Sequence, residues 1–320
     1  MKERKKGEGE MTAKEGVPFF SSTDHKPEET RHDLQNSQPK KTKFKRARRS
    51  VTFGEWPQTI KDDDVIIYET KDERGFYLGS DGEYYVKTVA KPYYKGYYFS
   101  NKAEIIKGTT YYFKVEPLTW TIIKEEGSRL LVHCNNIIFN NAYQSVYIKD
   151  EDGDIITEFN DAPPNTYASN YIYSEIREWL LETFFPLIEK SFGFDDSQVK
   201  ILPYYVCDEN SPLNFSDKVF LLSKSEVEKF GAGYKPHMRN VTDYAKACGT
   251  YVYGAMSGVR SRATGKGWWW LRTPCTSEGQ DTVHAIDQNG VTNYAWIWVG
   301  GYGIVPALYI DIIKNQDNSL

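Results

Sequence analysis

No run of eighteen apolar residues occurs in this 320-residue chain, so no membrane-crossing helix is expected. The opening residues, Met1-Lys2-Glu3-Arg4-Lys5-Lys6, lead into no apolar stretch, and no cleaved secretory signal is expected either. Cysteine is scarce: Cys134, Cys207, Cys248 and Cys275 lie 73, 41 and 27 residues apart. Without a CxxC pair, a zinc site or a thioredoxin-like motif is disfavoured, and isolated buried thiols in a reducing compartment are expected. Histidine is scarcer relative to what catalysis would need. Of five, His25 and His32 fall in a polar N-terminal stretch, and His237 and His284 have no acid-and-nucleophile pattern nearby. His133 adjoins Cys134, but neighbouring strand residues point to opposite faces, so they form no dyad. Gly265-Lys266-Gly267 lacks the spacing and hydroxyl of a phosphate loop. Asp150-Glu151-Asp152-Gly153-Asp154 lacks the glycine at position six and the glutamate at position twelve of a calcium loop, and reads as a solvated acidic turn. No enzyme, metal or cofactor is expected.

What is abundant is aromatic: 15% of residues, with 24 Tyr and 8 Trp. Such side chains suit binding surfaces, and equally a β-rich core with Tyr on its outer faces. Residues 1–50 differ from the rest, with 14 Lys/Arg, 8 Asp/Glu and three aromatics. That composition predicts a disordered basic tail. Seven of the ten residues Lys40–Arg49 are basic, which suits a solvated linker, or contact with nucleic acid or an acidic surface. Subtracting the tail's +6 from the chain's net charge of -4 leaves -10 on the other 270 residues. No nucleic acid is therefore expected on the folded domain, residues 51–320.

Within that domain, Val51–Gln58 reads as a short strand stopped by Pro57. Residues 51–115 form a β-rich N-terminal extension. Tyr84–Val89, Tyr93–Phe99, Thr109–Val115, Leu118–Ile123 and Leu130–Phe139 read as strands, with turns at Ser80-Asp81-Gly82 and Glu126-Gly127. Asn141–Asn170 reads as a long loop. Ser174 caps a helix to Lys190 that Pro186 should kink or end. Val219–Ser223 reads as a strand, with Ser223 capping a helix through Phe230 that stops at Gly231. A short helix is expected over Val241–Cys248. After a Gly/Ser/Arg connector, Ser257–Lys266, come strands at Trp268–Leu271, Thr282–Asp287, Val291–Val299 and Ile304–Ile312. Asn289-Gly290 is the strongest hairpin signal in the chain.

Several of these segments resemble a known family in its own order. Phe53-Gly54-Glu55-Trp56-Pro57-Gln58 is similar to its opening, and Val115–Trp120 to its "VEPIxW" strand. Ser174–Leu180 is similar to "SxIRxWL" and Val219–Ser223 to "VFLLS". Trp268–Pro274 resembles the signature "WWLRSP", and Gly303–Leu308 resembles "GVRPAL", with Val305 where many members carry Arg. The family is DUF6273, found in bacteria and their phages. The resemblance implies an α+β, C-type-lectin-like (formylglycine-generating-enzyme-like) domain of twisted antiparallel sheets and a few helices. It implies a cytoplasmic or phage-particle-associated protein, and similarity to the variable proteins of diversity-generating retroelements, whose C-terminal segment displays hypervariable side chains to diverse ligands. The sugar-binding tripeptides of calcium-dependent lectins and the cysteine pair of formylglycine-generating enzymes are absent.

In Val291–Val299, Val291, Asn293, Ala295, Ile297 and Val299 alternate with Thr292, Tyr294, Trp296 and Trp298. Period two puts the aromatic set on one face, which is either a binding platform or a second packed layer. The platform reading makes Thr292, Asn293, Tyr294, Trp296 and Trp298 ligand-binding residues. His284 and Asp287 across the turn, and Ser277, Glu278 and Gln280 in the preceding loop, add polar contacts. Tyr302 is held near the same surface by Gly300, Gly301 and Gly303. The ligand would be a protein or a carbohydrate. The alternatives are an enzyme of the formylglycine-generating type and an oligomerisation module. Trp268–Trp270 and Arg272 read as scaffold.

Overall fold

A computed structural model of the chain describes residues 44–145, 148–153, 155–156, 166–191, 199–207, 214–230, 237–254, 262 and 264–313. The expected tail up to residue 43, part of the 141–170 loop, Asp154, the helix stop at Gly231 and most of the 257–266 connector lie outside them.

The described residues are β-rich, with antiparallel sheets and a few short helices. The largest sheet has nine strands. Its spine is Thr110–Glu126, seventeen residues long, long enough to pair with Ser50–Ile60, Tyr84–Val89 and Arg129–Cys134 at once. The two strands expected at 109–115 and 118–123 are therefore one. Ala307–Ile312 lies beside Arg129–Cys134, and Val199–Leu202 beside that. Pro57 does not stop its strand. Ser50–Ile60 runs through it, and a register shift between Pro57 and Thr59 absorbs the missing N–H, as bulges do. Regular structure also begins before residue 51. Lys45–Arg46 pairs with Val51 and Thr52, and Phe44 packs on Phe53 at 6.3 Å, so the end of the expected tail belongs to the sheet.

A second sheet of five strands has the order Thr292–Trp296, Thr282–Ile286, Trp269–Pro274, Gly303–Ile304, Phe139–Asn140. Two segments cross between the sheets side by side. Cys134 donates its N–H to the Pro306 carbonyl at 3.0 Å, and Ile138 to Ile304 at 3.2 Å. Ile304, Val305, Ala307 and Leu308 are wholly buried at this crossing, which accounts for their apolar run. Around it sits an aromatic core: Phe53 stacks on Trp120, Phe139 on Trp179, and Trp56 meets Trp179, Phe184 and Tyr244 edge-on.

The helices follow their caps. Ser174 Oγ accepts the Arg177 N–H at 3.2 Å. Pro186 does not end the helix: a π turn, Leu180–Phe184, precedes Phe185–Ser191, and its wider winding offsets the N–H that proline cannot donate. Ser223 and Glu226 exchange hydrogen bonds as a capping box for Lys224–Phe230. Thr242 and left-handed Gly249 bound Asp243–Cys248. Two expected strands are not formed. Tyr93–Phe99 is a turn-rich loop, and Val219–Ser223 is extended with a single bridge, Phe220 to Ala307. No helix is long and apolar enough to cross a membrane among the described residues.

Candidate functional site

Thr292–Trp296 is the edge strand of the five-stranded sheet. Its register with Thr282–Ile286 sets Tyr294 opposite His284 and Trp296 opposite Thr282. Asp287 N–H bonds the Val291 carbonyl, and Ile297 N–H bonds the Asp281 carbonyl. Odd-numbered residues of this strand thus direct their backbone inward. His284 and Tyr294 form a non-hydrogen-bonded pair, the kind that brings side chains closest. Tyr294 N–H points to the open edge, where Asn293 Oδ1 accepts it at 2.9 Å.

The side chains divide as the alternation predicts from Tyr294 onward. Ala295 and Ile297 are buried, whereas Tyr294, Trp296 and Trp298 are 40%, 53% and 41% exposed. The two indoles are nearly parallel, 5.8 Å apart with 8° between planes. Val291 and Asn293, on the other face, are exposed as well, because the core does not extend beneath the hairpin tip.

The polar residues expected around this face fall into two groups. His284 is half-buried, and its Nδ1 donates to the Asn293 carbonyl at 3.2 Å. Burial lowers its pKa, with the carbonyl contact opposing. Ser277 is exposed, and Gln280 and Thr292 are half-buried. Asp287, by contrast, is buried, and its Oδ1 accepts the N–H groups of Asn289 and Val291 at 2.8 and 2.9 Å. It holds the hairpin turn rather than facing outward, a role Asp takes at the first position of such turns.

Tyr302 also departs from expectation. It is half-buried, stacked on Trp268 at 4.9 Å and tilted on Trp270 at 5.2 Å, so it wedges against the scaffold tryptophans. Gly300, Gly301 and Gly303 do not adopt positive φ. Gly301 and Gly303 are required for space instead. A Cβ on Gly301 would come within 2.2 Å of the Tyr93 ring, and one on Gly303 within 2.3 Å of Ile137. Asn140 Nδ2 holds the Gly300 carbonyl and Tyr251 N–H the Gly301 carbonyl, each at 2.8 Å.

One expected loop residue reaches the aromatic face, and one contributor escaped the sequence reading of the site. Glu278 accepts a hydrogen bond from the Tyr294 hydroxyl and raises its pKa. Tyr93, 40% exposed and 4.6 Å edge-on to Tyr94, abuts the glycine turn that follows Trp298. Glu278 was expected from its place in the loop beside Ser277 and Gln280. Tyr93 lies two hundred residues away and gave no signal.

The scaffold residues behave as expected. Trp269 and Trp270 are fully buried, with indole N–H groups on the carbonyls of His237 and Asn141 at 2.8 and 3.0 Å. Trp268 is half-buried and its indole bonds Gln288. Arg272 is buried and forks onto Glu226 at 2.7 and 2.9 Å, with a further bond to the Leu221 carbonyl at 2.6 Å. It thereby ties the signature strand to a helix cap. Asp150 closes its own turn by accepting the Asp152 N–H, and Gly153 supplies positive φ.

Fold and site together define a β-rich α+β protein whose sheet edge carries an outward aromatic face. Residues 143–312, just over half of the chain, match the model of the family described as Domain of unknown function (DUF6273), and the chain belongs to that family. No curated protein and no solved structure matches the chain. The segments at Phe53–Gln58 and Val115–Trp120 precede the matched span, and the remaining motifs lie inside it.

Proposed function

We propose that the chain is a non-enzymatic recognition protein of C-type-lectin-like fold that binds a protein or carbohydrate through Tyr294, Trp296 and Trp298. In this reading it is a variable protein of a diversity-generating retroelement, cytoplasmic or phage-associated, with residues from Ser277 to Tyr302 as its variable segment. The observation that carries the proposal is the parallel, half-exposed Trp296–Trp298 pair at the end of an edge strand, alternating with buried Ala295 and Ile297. Large indoles left about half in water are uncommon outside binding sites. Around them stand the adaptable hydrogen-bonding groups of Asn293, His284, Ser277 and Glu278, a mixture resembling antibody paratopes. The Asn293 cap on the Tyr294 N–H obstructs strand addition at the open edge, which favours recognition by side chains over pairing with a second copy.

The test is a double alanine substitution at Trp296 and Trp298. It should abolish binding while shifting the melting temperature by no more than a few degrees. A collapse in stability would show the pair to be core. The genomic DNA provides a second test: a near-copy of the codons for this segment, differing mainly at adenines and lying beside a reverse transcriptase, is expected downstream.

A further inference from the structure

We propose that the hairpin entering the nine-stranded sheet binds the phosphate backbone of nucleic acid through Lys45, Arg46, Arg48 and Arg49. All four are exposed, and in sequence they follow Lys40, Lys41 and Lys43. Their backbone is fixed. Lys45 and Arg46 pair with Thr52 and Val51, and Ala47 N–H closes the turn on the Ser50 carbonyl at 2.8 Å. Ile122 N–H bonds the Arg49 carbonyl at 3.0 Å. A cationic patch anchored to a sheet loses less entropy on binding than a free tail of the same composition.

The neighbouring carboxylates compete weakly. Arg46 meets Glu125 at 2.7 Å with side chains 39% and 47% exposed, and Lys124 meets Glu126 at 2.7 Å with similar exposure. Ion pairs this open contribute little, so a phosphate can take the place of Glu125. Arginine supplies three of the seven cations between residues 40 and 49, and its planar fork matches phosphate oxygens.

The hairpin itself selects among polyanionic partners. Lasting attachment to a bilayer takes an apolar group in the lipid beside the basic charge, yet Phe44 packs against Phe53 instead. Protein hot spots combine aromatic residues with arginine, and the strand and turn residues 45–49 hold no aromatic. Cations without an anchor suit a regular array of phosphates, which is read by charge alone. The low expectation for nucleic acid came from net charge averaged over residues 51–320. The hairpin is a local exception, and that negative remainder confines binding to it.

The experiment uses the full chain and a fluorescein-labelled DNA duplex of roughly 20 base pairs, read by anisotropy at about 50 and about 200 mM salt. Saturable binding is expected at the lower salt. Four phosphate contacts give a log–log salt slope of about -3.6, which weakens binding on the order of 100-fold at the higher salt. R48E/R49E should keep the melting temperature, weaken binding at least ~10-fold, and halve the slope to about -1.8. Alanine at Trp296 and Trp298 should leave binding unchanged, which separates this site from the aromatic face. The proposal is overturned by absence of saturable binding at the lower salt, by an unchanged affinity in R48E/R49E, or by preferential association with vesicles of mixed phosphatidylcholine and phosphatidylglycerol.

Discussion

Trp269 and Trp270 lie in the same five-stranded sheet as Trp296, with Trp298 in the turn that follows it, and fewer than thirty residues separate the pairs in sequence. The first pair is wholly buried and the second about half exposed. The indole is the same; the strand's place in the sheet differs. Trp269–Pro274 is a central strand covered on both faces, so every residue in it is buried. Thr292–Trp296 is an edge strand in which Ala295 is buried and Trp296 lies on the uncovered side. A tryptophan on the uncovered face of an edge strand adds little to folding, which leaves it free to serve recognition.

The largest effect expected from breaking this contrast is at the buried pair. Trp270→Ala should cost about 3–5 kcal/mol, measured by denaturant midpoint. Glu226→Ala should cost about 3–5 kcal/mol as well, since it strands the buried Arg272 guanidinium and removes a helix cap. A cost for Glu226→Ala as small as that of a surface substitution would mean Arg272 is solvated in solution.

Gly301→Ala should cost about 1–3 kcal/mol by forcing the Tyr93 ring aside. It should also shift the indole resonance of Trp298 in a nitrogen–proton correlation spectrum. Tyr93→Ala in the same background should restore most of the loss, a coupling that a purely local backbone effect would not show.

Acid should separate the scaffold from the platform. His133 is fully buried, its ring is 5.2 Å from Trp269, and Arg239 Nη2 is 3.1 Å from its Nδ1. Burial, with the neighbouring Arg239 charge, holds its pKa well below the ordinary value. The unfolded chain therefore binds this proton first, and stability falls as pH drops below about 6.5, by about 1.4 kcal/mol per pH unit. His133→Gln should flatten that slope in chemical denaturation at pH 5 to 7, and an unaltered slope would assign it to other groups. The smallest effect on stability belongs to Trp296→Ala and Trp298→Ala, each within about 1 kcal/mol, although these should have the largest effect on binding.

Local rules made much of this legible. The Ser174, Ser223 and Thr242 caps, the Asn289-Gly290 turn and the alternation after Val291 all rest on chemistry within a few residues. Asp287 was misread although its sequence held the answer: an Asp two residues before Asn-Gly is placed to hold that turn. Pro57 was read as a stop because proline removes a ladder donor, yet a bulge in a strand paired along one side accommodates it. Tyr93 and Tyr94 read as strand because aromatic density alone favours that state; their packing depends on a glycine turn two hundred residues later.

By itself, then, the sequence determined the family, the β-rich class, the scaffold role of Trp268–Arg272 and the two-sided character of Val291–Val299. Each follows from an ordered motif or a period of two, and both are properties of neighbours along the chain. Only the tertiary structure decided which side of that strand is covered, that Tyr302 turns away from it, and that Tyr93 packs against the glycine turn that follows it. Burial depends on what the other sheet strands place above and below a residue, and no local pattern encodes the far partner's position.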